Sequence, residues 1–157
     1  MNLRPARPED VPLILGFIRA LADYEKLSHE VEATEERLRR TLFPPEGRPA
    51  AECLLAFVGE EAVGFAIYFT TYSTFLAKPG LYLEDIFVSP AHRAKGVGKA
   101  IILRLAKLAN ERGYGRMEWS VLDWNEPAIR FYESLGARRM TEWTICRLSG
   151  EALRRHA

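Results

Sequence analysis

Residues 81–99 bring two adjacent carboxylates and a basic glycine turn into one short stretch. Leu81 to Val88 is apolar and aromatic, interrupted by Glu84 and Asp85, and reads as a buried strand. Ser89 and Pro90 stop it. Arg93, Ala94, Lys95, Gly96, Val97, Gly98 and Lys99 follow. Ile101, Ile102, Leu105, Leu108 and Ala109 then recur at helical spacing. A strand, a basic turn and a helix start make an anion site. The first turn of a helix offers unpaired N–H groups and the positive end of its dipole, which suits a pyrophosphate. Gly96 and Gly98 let phosphate oxygens approach the backbone. Arg93, Lys95 and Lys99 add positive charge. The chain has no Ser/His/Asp order and no His/Cys/Asp/Glu cluster at metal-ligand spacing, so neither a triad hydrolase nor a metal site is expected. His29, His92 and His156 are scattered on polar stretches and are not expected to be catalytic.

Arg93, Gly96 and Gly98 fit the Arg/Gln-x-x-Gly-x-Gly/Ala acetyl-CoA loop, and here the chain resembles the GCN5-related N-acetyltransferase (GNAT) superfamily. A second stretch, 121–137, carries the Asn-x-x-Ala-x-x-Phe-Tyr-x-x-x-Gly-Phe/Ala pattern at Asn125, Ala128, Phe131, Tyr132, Gly136 and Ala137. Tyr-Leu-Glu-Asp at 82–85 and Trp-Asn-Glu-Pro at 124–127 are similar to the diamine (spermidine/spermine) acetyltransferases and their thialysine-acetylating relatives. The resemblance runs from Leu3 to about Leu153, with a weak patch at 44–52. It implies an α/β (α+β) fold: a mixed, mostly antiparallel sheet flanked by helices, whose strands at 81–88 and 117–121 splay to admit acetyl-CoA. It also implies direct acetyl transfer to a primary amine in a ternary complex, and a homodimer.

Such a transfer needs a neutral amine, a polarised thioester carbonyl and a proton for the departing thiolate. An alkyl amine with a pKa of ~10.4 is only about 1 part in 2,500 neutral at pH 7, so a carboxylate that accepts its proton is useful. Glu84 is the expected acceptor; a solvent-facing or Arg-paired strand residue is the alternative. Strict alternation would put Asp85 on the other face in a structural role. The N–H groups of Ile86, Phe87 and Val88 are expected to polarise the carbonyl. Tyr132 is the expected general acid, with a core aromatic as the alternative. Asn125, with Pro127 and Ala128 beside it, is expected at the pantetheine arm, or as a plain helix cap. Tyr24, Glu25, Ser73, Phe75, Trp119 and Glu142 are the expected amine-side residues. Ser73 and Phe75 stand where polyamine-acetylating members carry Asp and Trp, which favours a thialysine-like amino acid or short diamine over spermine. A catalytically silent acetyl-CoA-binding module, and acetylation of protein lysines or N-termini, remain the other readings.

The whole chain must position these groups. Its 157 residues suit one domain, 1–157. With 48% hydrophobic residues, 27% charged and a net charge of +1, it gives no support to a nucleic-acid or membrane role. Cys53 and Cys146 lie far apart in apolar runs and are expected as buried thiols, in a cytoplasmic protein. A first strand is expected at Leu3. Helices follow from Pro8 to about Tyr24 and from Thr34 to Pro44. Strands are expected at 52–58 and 62–71, then a loop over 72–80. After the strand at 81–88 come a helix at about 96–112, a strand at 117–121, a helix from Asn125 to Gly136 and a final strand at 140–148.

Overall fold

The computed structural model describes residues 1–157. In chain order it holds β1 (Asn2–Pro5), α1 (Val11–Tyr24), α2 (Glu35–Leu42), β2 (Glu52–Val58), β3 (Glu61–Ser73), β4 (Lys78–Val88), α3 (Val97–Glu111), β5 (Met117–Trp119), α4 (Glu126–Ser134) and α5 (Gly150–Arg154). The chain divides into two compact units, Met1–Ser120 and Val121–Ala157.

The first unit is a five-stranded sheet in the order β1-β2-β3-β4-β5 with helices on it. All neighbours are antiparallel except β4 and β5, which run parallel. The parallel pair needs a crossover, and α3 supplies it. One sheet face packs on α1 and α2. Val11, Ile14, Leu15, Phe17 and Leu21 recur at helical spacing and meet Leu55, Phe65, Ile67 and Phe87 of the sheet. Phe17 stacks on Phe65 with ring centroids 5.4 Å apart and leans on Phe87 at 6.2 Å. Burying such a ring contributes roughly 1.5–3 kcal/mol. α3 packs against β2, β3 and β4 through Val97, Ile101, Ile102, Leu105 and Ala109, none of which belongs to the α1 cluster. At the start of α1, Arg4 grips Asp10 with two bonds of 2.7 and 2.9 Å. That grip holds the Asp10 carboxyl below its usual range.

Two segments differ from expectation. The stretch 72–80 is a hairpin rather than a loop, because β3 runs to Ser73 and β4 begins at Lys78. Pro79 sits within this strand at no loss of a bond to β3. Its nitrogen lies on the side where Leu81 donates to the Arg116 carbonyl, away from β3. Gly80 is a close approach: a Cβ there would lie 2.9 Å from Thr71 Oγ1 and 3.2 Å from the Arg116 carbonyl. The second difference is 140–148, which forms no strand. A strand takes its hydrogen bonds from a partner, and its own unit, Val121–Ala157, contains no other. Trp143, Ile145 and Leu148 are exposed there, and so is Cys146; Cys53 is buried as expected. In the same unit α4 has Pro127 in its first turn, and the helix-stop Gly136 adopts φ +88°. No helix is long and apolar enough to cross a membrane.

Candidate active site

The two ends of β4 are paired differently. Leu81, Tyr82 and Leu83 lie between β3 and β5, where they align with Met117, Glu118 and Trp119. Pairing with β5 then stops, and β4 runs on through Glu84 to Val88 with β3 alone beside it. β5 itself ends at Trp119, so the second half of β4 has no strand paired on that side.

The strand changes phase where the gap opens. Tyr68 aligns with Leu83, and Ile67 with Asp85, so Glu84 is an extra residue, a β-bulge. The packing records the same shift. Leu83 and Phe87 are four positions apart and both buried, yet only Phe87 belongs to the α1-side cluster. Regular alternation would put them on one face. Asp85 therefore takes the α1 face rather than the face that regular alternation from Leu83 gives it, because a bulge interrupts the alternation.

The bulge also decides which backbone groups face the gap. Ser89 donates to the Val63 carbonyl at 2.8 Å. Antiparallel pairing alternates, so Phe87 and Asp85 also bond towards β3, while Ile86 and Val88 present N–H and C=O to the open edge. Of the three expected N–H donors, Ile86 and Val88 face the gap and Phe87 does not. Arg93 Nε donates to the outward Val88 carbonyl at 3.0 Å.

The turn after β4 delivers the helix start. Ala94 and Gly96 take φ +59° and +83°, and α3 begins at Val97. The first N–H groups of this 15-residue helix have no partners within it. A Cβ on Gly98 would meet only Val88 Cγ2, at 3.8 Å. There is room at Gly98 for a ligand, and the fold does not itself require a glycine there. Lys95 and Lys99 are exposed around the turn. These features fit a pyrophosphate. Arg93 does something else. Its guanidinium lies 4.5 Å from the Tyr24 ring centroid and 5.5 Å from that of Phe87. It ties the turn to the C-terminal end of α1 through cation–π contacts.

Glu25 follows Tyr24 and joins the β4 carboxylates electrostatically. Burial, then Glu84, then Glu25 push the Asp85 carboxyl up to about 6. Burial alone raises Glu25. Glu84 is exposed and Asp85 is mostly buried. The structure thus brings Tyr24, Glu25, Glu84, Ile86, Val88 and Arg93 to one corner of the first unit, and adds Asp85, which the sequence had placed elsewhere. Two neighbouring acids inside an apolar strand were the available signal of a phase change. Trp119 is the last residue of β5, at the fork. Ser73 and Phe75 are not in this corner. Lys78, the partner of Ser73, lies six positions from Glu84 along β4, ~20 Å at 3.3 Å per residue. Ser73 is buried and its Oγ accepts the Leu76 N–H at 3.3 Å, while Phe75 is fully exposed at the hairpin tip.

In the second unit, Asn125 caps α4 by accepting the Ala128 N–H at 3.4 Å. Tyr132 is mostly buried, with its ring centroid 5.4 Å from that of Phe131, and burial raises its phenol above the usual value. Glu142 is exposed in the irregular stretch.

Residues 16–137 match the model of the Acetyltransferase (GNAT) family. The thialysine N-epsilon-acetyltransferase of Mus musculus is 39% identical over 98% of this chain and 95% of its own length. The L-ornithine N5-acetyltransferase of Arabidopsis thaliana is 34% identical, covering 97% and 86%. Among solved structures, an integron cassette protein from the mobile metagenome of V. cholerae superposes with a TM-score of 0.78 at 23% identity, over 99% of this chain and 96% of that one. It shares the fold.

Proposed function

This chain belongs to the acetyltransferase (GNAT) family and is an N-acetyltransferase, and we propose on that premise that it acetylates the primary amine of a small molecule. The amine is a thialysine-like amino acid or a short diamine, and the acetyl donor is acetyl-CoA. The observation that carries this reading is the second half of β4, which runs with an open edge straight into a basic glycine turn and a helix start. Acetyl-CoA, held there, supplies an acetyl group activated as a thioester. The α3 N-terminus, Ala94 to Lys99, holds the pyrophosphate. The Ile86 and Val88 N–H groups orient the arm and the carbonyl. Asn125, Pro127 and Ala128 line the arm. A β4 carboxylate takes the amine's proton, and Tyr132, kept protonated by burial, gives one to the sulfur. The reacting protein is a single domain over 1–157 and a cytoplasmic homodimer. Exposed Trp143, Ile145 and Leu148 support the dimer, because an apolar stretch without a strand partner suits a second copy.

Selectivity follows from charge. Glu25, Glu84 and Asp85 hold one ammonium well, but a long polyamine carries several that each need a counter-charge. Relatives named for thialysine and ornithine support the same choice. The test is thiol release from acetyl-CoA with a panel of amines. The expected ratio of kcat/KM for S-(2-aminoethyl)cysteine to that for spermidine is above one. A ratio well below one restores a polyamine substrate, and no turnover with any amine leaves a silent acetyl-CoA-binding module.

A further inference from the structure

We propose that Arg93 is a positioning residue that couples the two substrates. Acetyl-CoA held at the turn strengthens binding of the amine, and the amine strengthens binding of acetyl-CoA. The inference rests on the amine-acetyltransferase reading above and says how the two sides of that site communicate.

Its basis is the reach of one side chain. Arg93 stands at the start of the turn, and its side chain makes three contacts beyond it. Nε donates to the Val88 carbonyl at 3.0 Å, on the open edge of β4. The guanidinium carbon lies 5.5 Å from the ring centroid of Phe87, which is buried and leans on Phe17 of α1. It also lies 4.5 Å from the ring centroid of Tyr24, the last residue of α1. Glu25 follows Tyr24, is half-buried, and is given to the ammonium by the reading above. A guanidinium suits this post. It is planar, lies over aromatic faces as a cation, and keeps an N–H free to donate to a carbonyl. The pyrophosphate turn and the amine-side end of α1 are far apart in the sequence, yet they meet through this one residue.

The chain is held in an uphill conformation on both sides of the contact. Ala94, next to Arg93, has φ +59°, and Lys26, two residues after Tyr24, has φ +61°. Each carries a β-carbon into the left-handed region, where such residues are strained. Tyr24 is 41% exposed and Arg93 is exposed, so little packing fixes either side chain. A pyrophosphate that fixes the turn also fixes Arg93, and with it Tyr24 and the chain leading to Glu25. An ammonium that fixes the α1 end presents the Tyr24 ring to Arg93 and so steadies the turn. The ordering is borne once, by whichever ligand comes first, and the second ligand binds to a site already arranged. Linkage makes the gain the same in both directions. Its size is bounded by what the cation–π contact contributes, which corresponds to about two- to thirtyfold in affinity.

The experiment measures the Kd of CoA by calorimetry, alone and with saturating S-(2-aminoethyl)cysteine. CoA takes the place of acetyl-CoA so that nothing turns over. In the wild type the amine is expected to tighten CoA by about two- to thirtyfold. Arg93→Leu and Tyr24→Leu are each expected to bring this ratio to about one, and the double variant to change it no further. Tyr24→Phe keeps the ring and is expected to keep the ratio. Tyr24 lies outside the turn, so an Arg93 that served only as a cation for phosphate would leave the ratio of Tyr24→Leu at the wild-type value. A purely structural role would lower Tm and leave the ratio alone. A wild-type ratio of one, a ratio that survives either leucine replacement, or a ratio lost in Tyr24→Phe overturns the inference. A wild type that acetylates S-(2-aminoethyl)cysteine but shows no coupling overturns this inference alone. A wild type that turns over no amine overturns the functional reading and this one together.

Discussion

The two halves of β4 share one strand and one neighbour in β3 but differ in almost everything else. From Leu81 to Leu83 the strand is bonded on both sides, and the leucines are 1% exposed. From Glu84 to Val88 it is bonded on one side, carries two acids and presents N–H groups to a gap. The first half stabilises the sheet. The second is left incomplete, and its unpaired groups are the ones available to a ligand. A sheet that closed on both sides throughout would be more stable and would have nowhere to hold a thioester.

Proline replacement separates the halves most sharply. Leu81→Pro removes the bond to the Arg116 carbonyl and a side chain that is 1% exposed, and is expected to destabilise the fold by about 2–5 kcal/mol. Ile86→Pro removes an N–H that takes no part in the β3 ladder. It is expected to lower kcat by about 10²–10³-fold, as for loss of one oxyanion donor, with a cooperative unfolding transition retained. Urea melts and thiol-release rates measure both. Equal loss of stability in the two variants would show that the open edge is bonded after all.

The second test asks whether the open half carries a stability penalty. The Asp85 carboxyl is raised in the fold, from 3.8 to about 6, so the folded protein binds its proton more tightly than the unfolded chain. The ionised group therefore opposes folding above about pH 6, and the penalty fades as pH falls towards 3.8. Asp85→Asn is expected to stabilise the protein by about 1–3 kcal/mol at pH 8, with no gain left near pH 4. A Tm difference independent of pH would refute this.

The smallest expected effect concerns the join between the halves' surroundings. Arg93→Leu removes the contacts to Tyr24, Phe87 and the Val88 carbonyl. Cation–π pairs of this kind contribute about 0.5–2 kcal/mol. The KM values for acetyl-CoA and for the amine are expected to rise together, by up to about thirtyfold. A rise in the acetyl-CoA term alone would make Arg93 a simple phosphate ligand.

The sequence made the first half of β4, the turn and α3 legible because each obeys a local rule: apolar strand, glycine turn, three-and-four spacing. It made the second half legible only in part. Glu84 and Asp85 were visible as acids in an apolar run, but regular alternation assigned them to opposite faces. The bulge is fixed by pairing with Ile67 and Tyr68, some seventeen residues upstream, and no local pattern carries that. Lys78-Pro79-Gly80 read as a loop for a similar reason, since the direction of the Pro79 nitrogen depends on β5. At 140–148 the failure ran the other way. Met140, Trp143, Ile145 and Leu148 gave a strand composition, but composition supplies no partner.

The bulge has a consequence for how this gene could drift. Exchange of Glu84 for another amino acid changes one side chain. Its deletion changes the phase of everything after it. Either the strand slips against β3 or the residues from Asp85 onward rotate to the opposite face. In the second case Phe87 leaves the Phe17 ring, and the Val88 carbonyl turns away from Arg93. Surface loops elsewhere in the chain can change length cheaply. Here the spacing from Leu83 to Phe87 is itself the constraint, and selection would act on the count of residues before it acted on their identity.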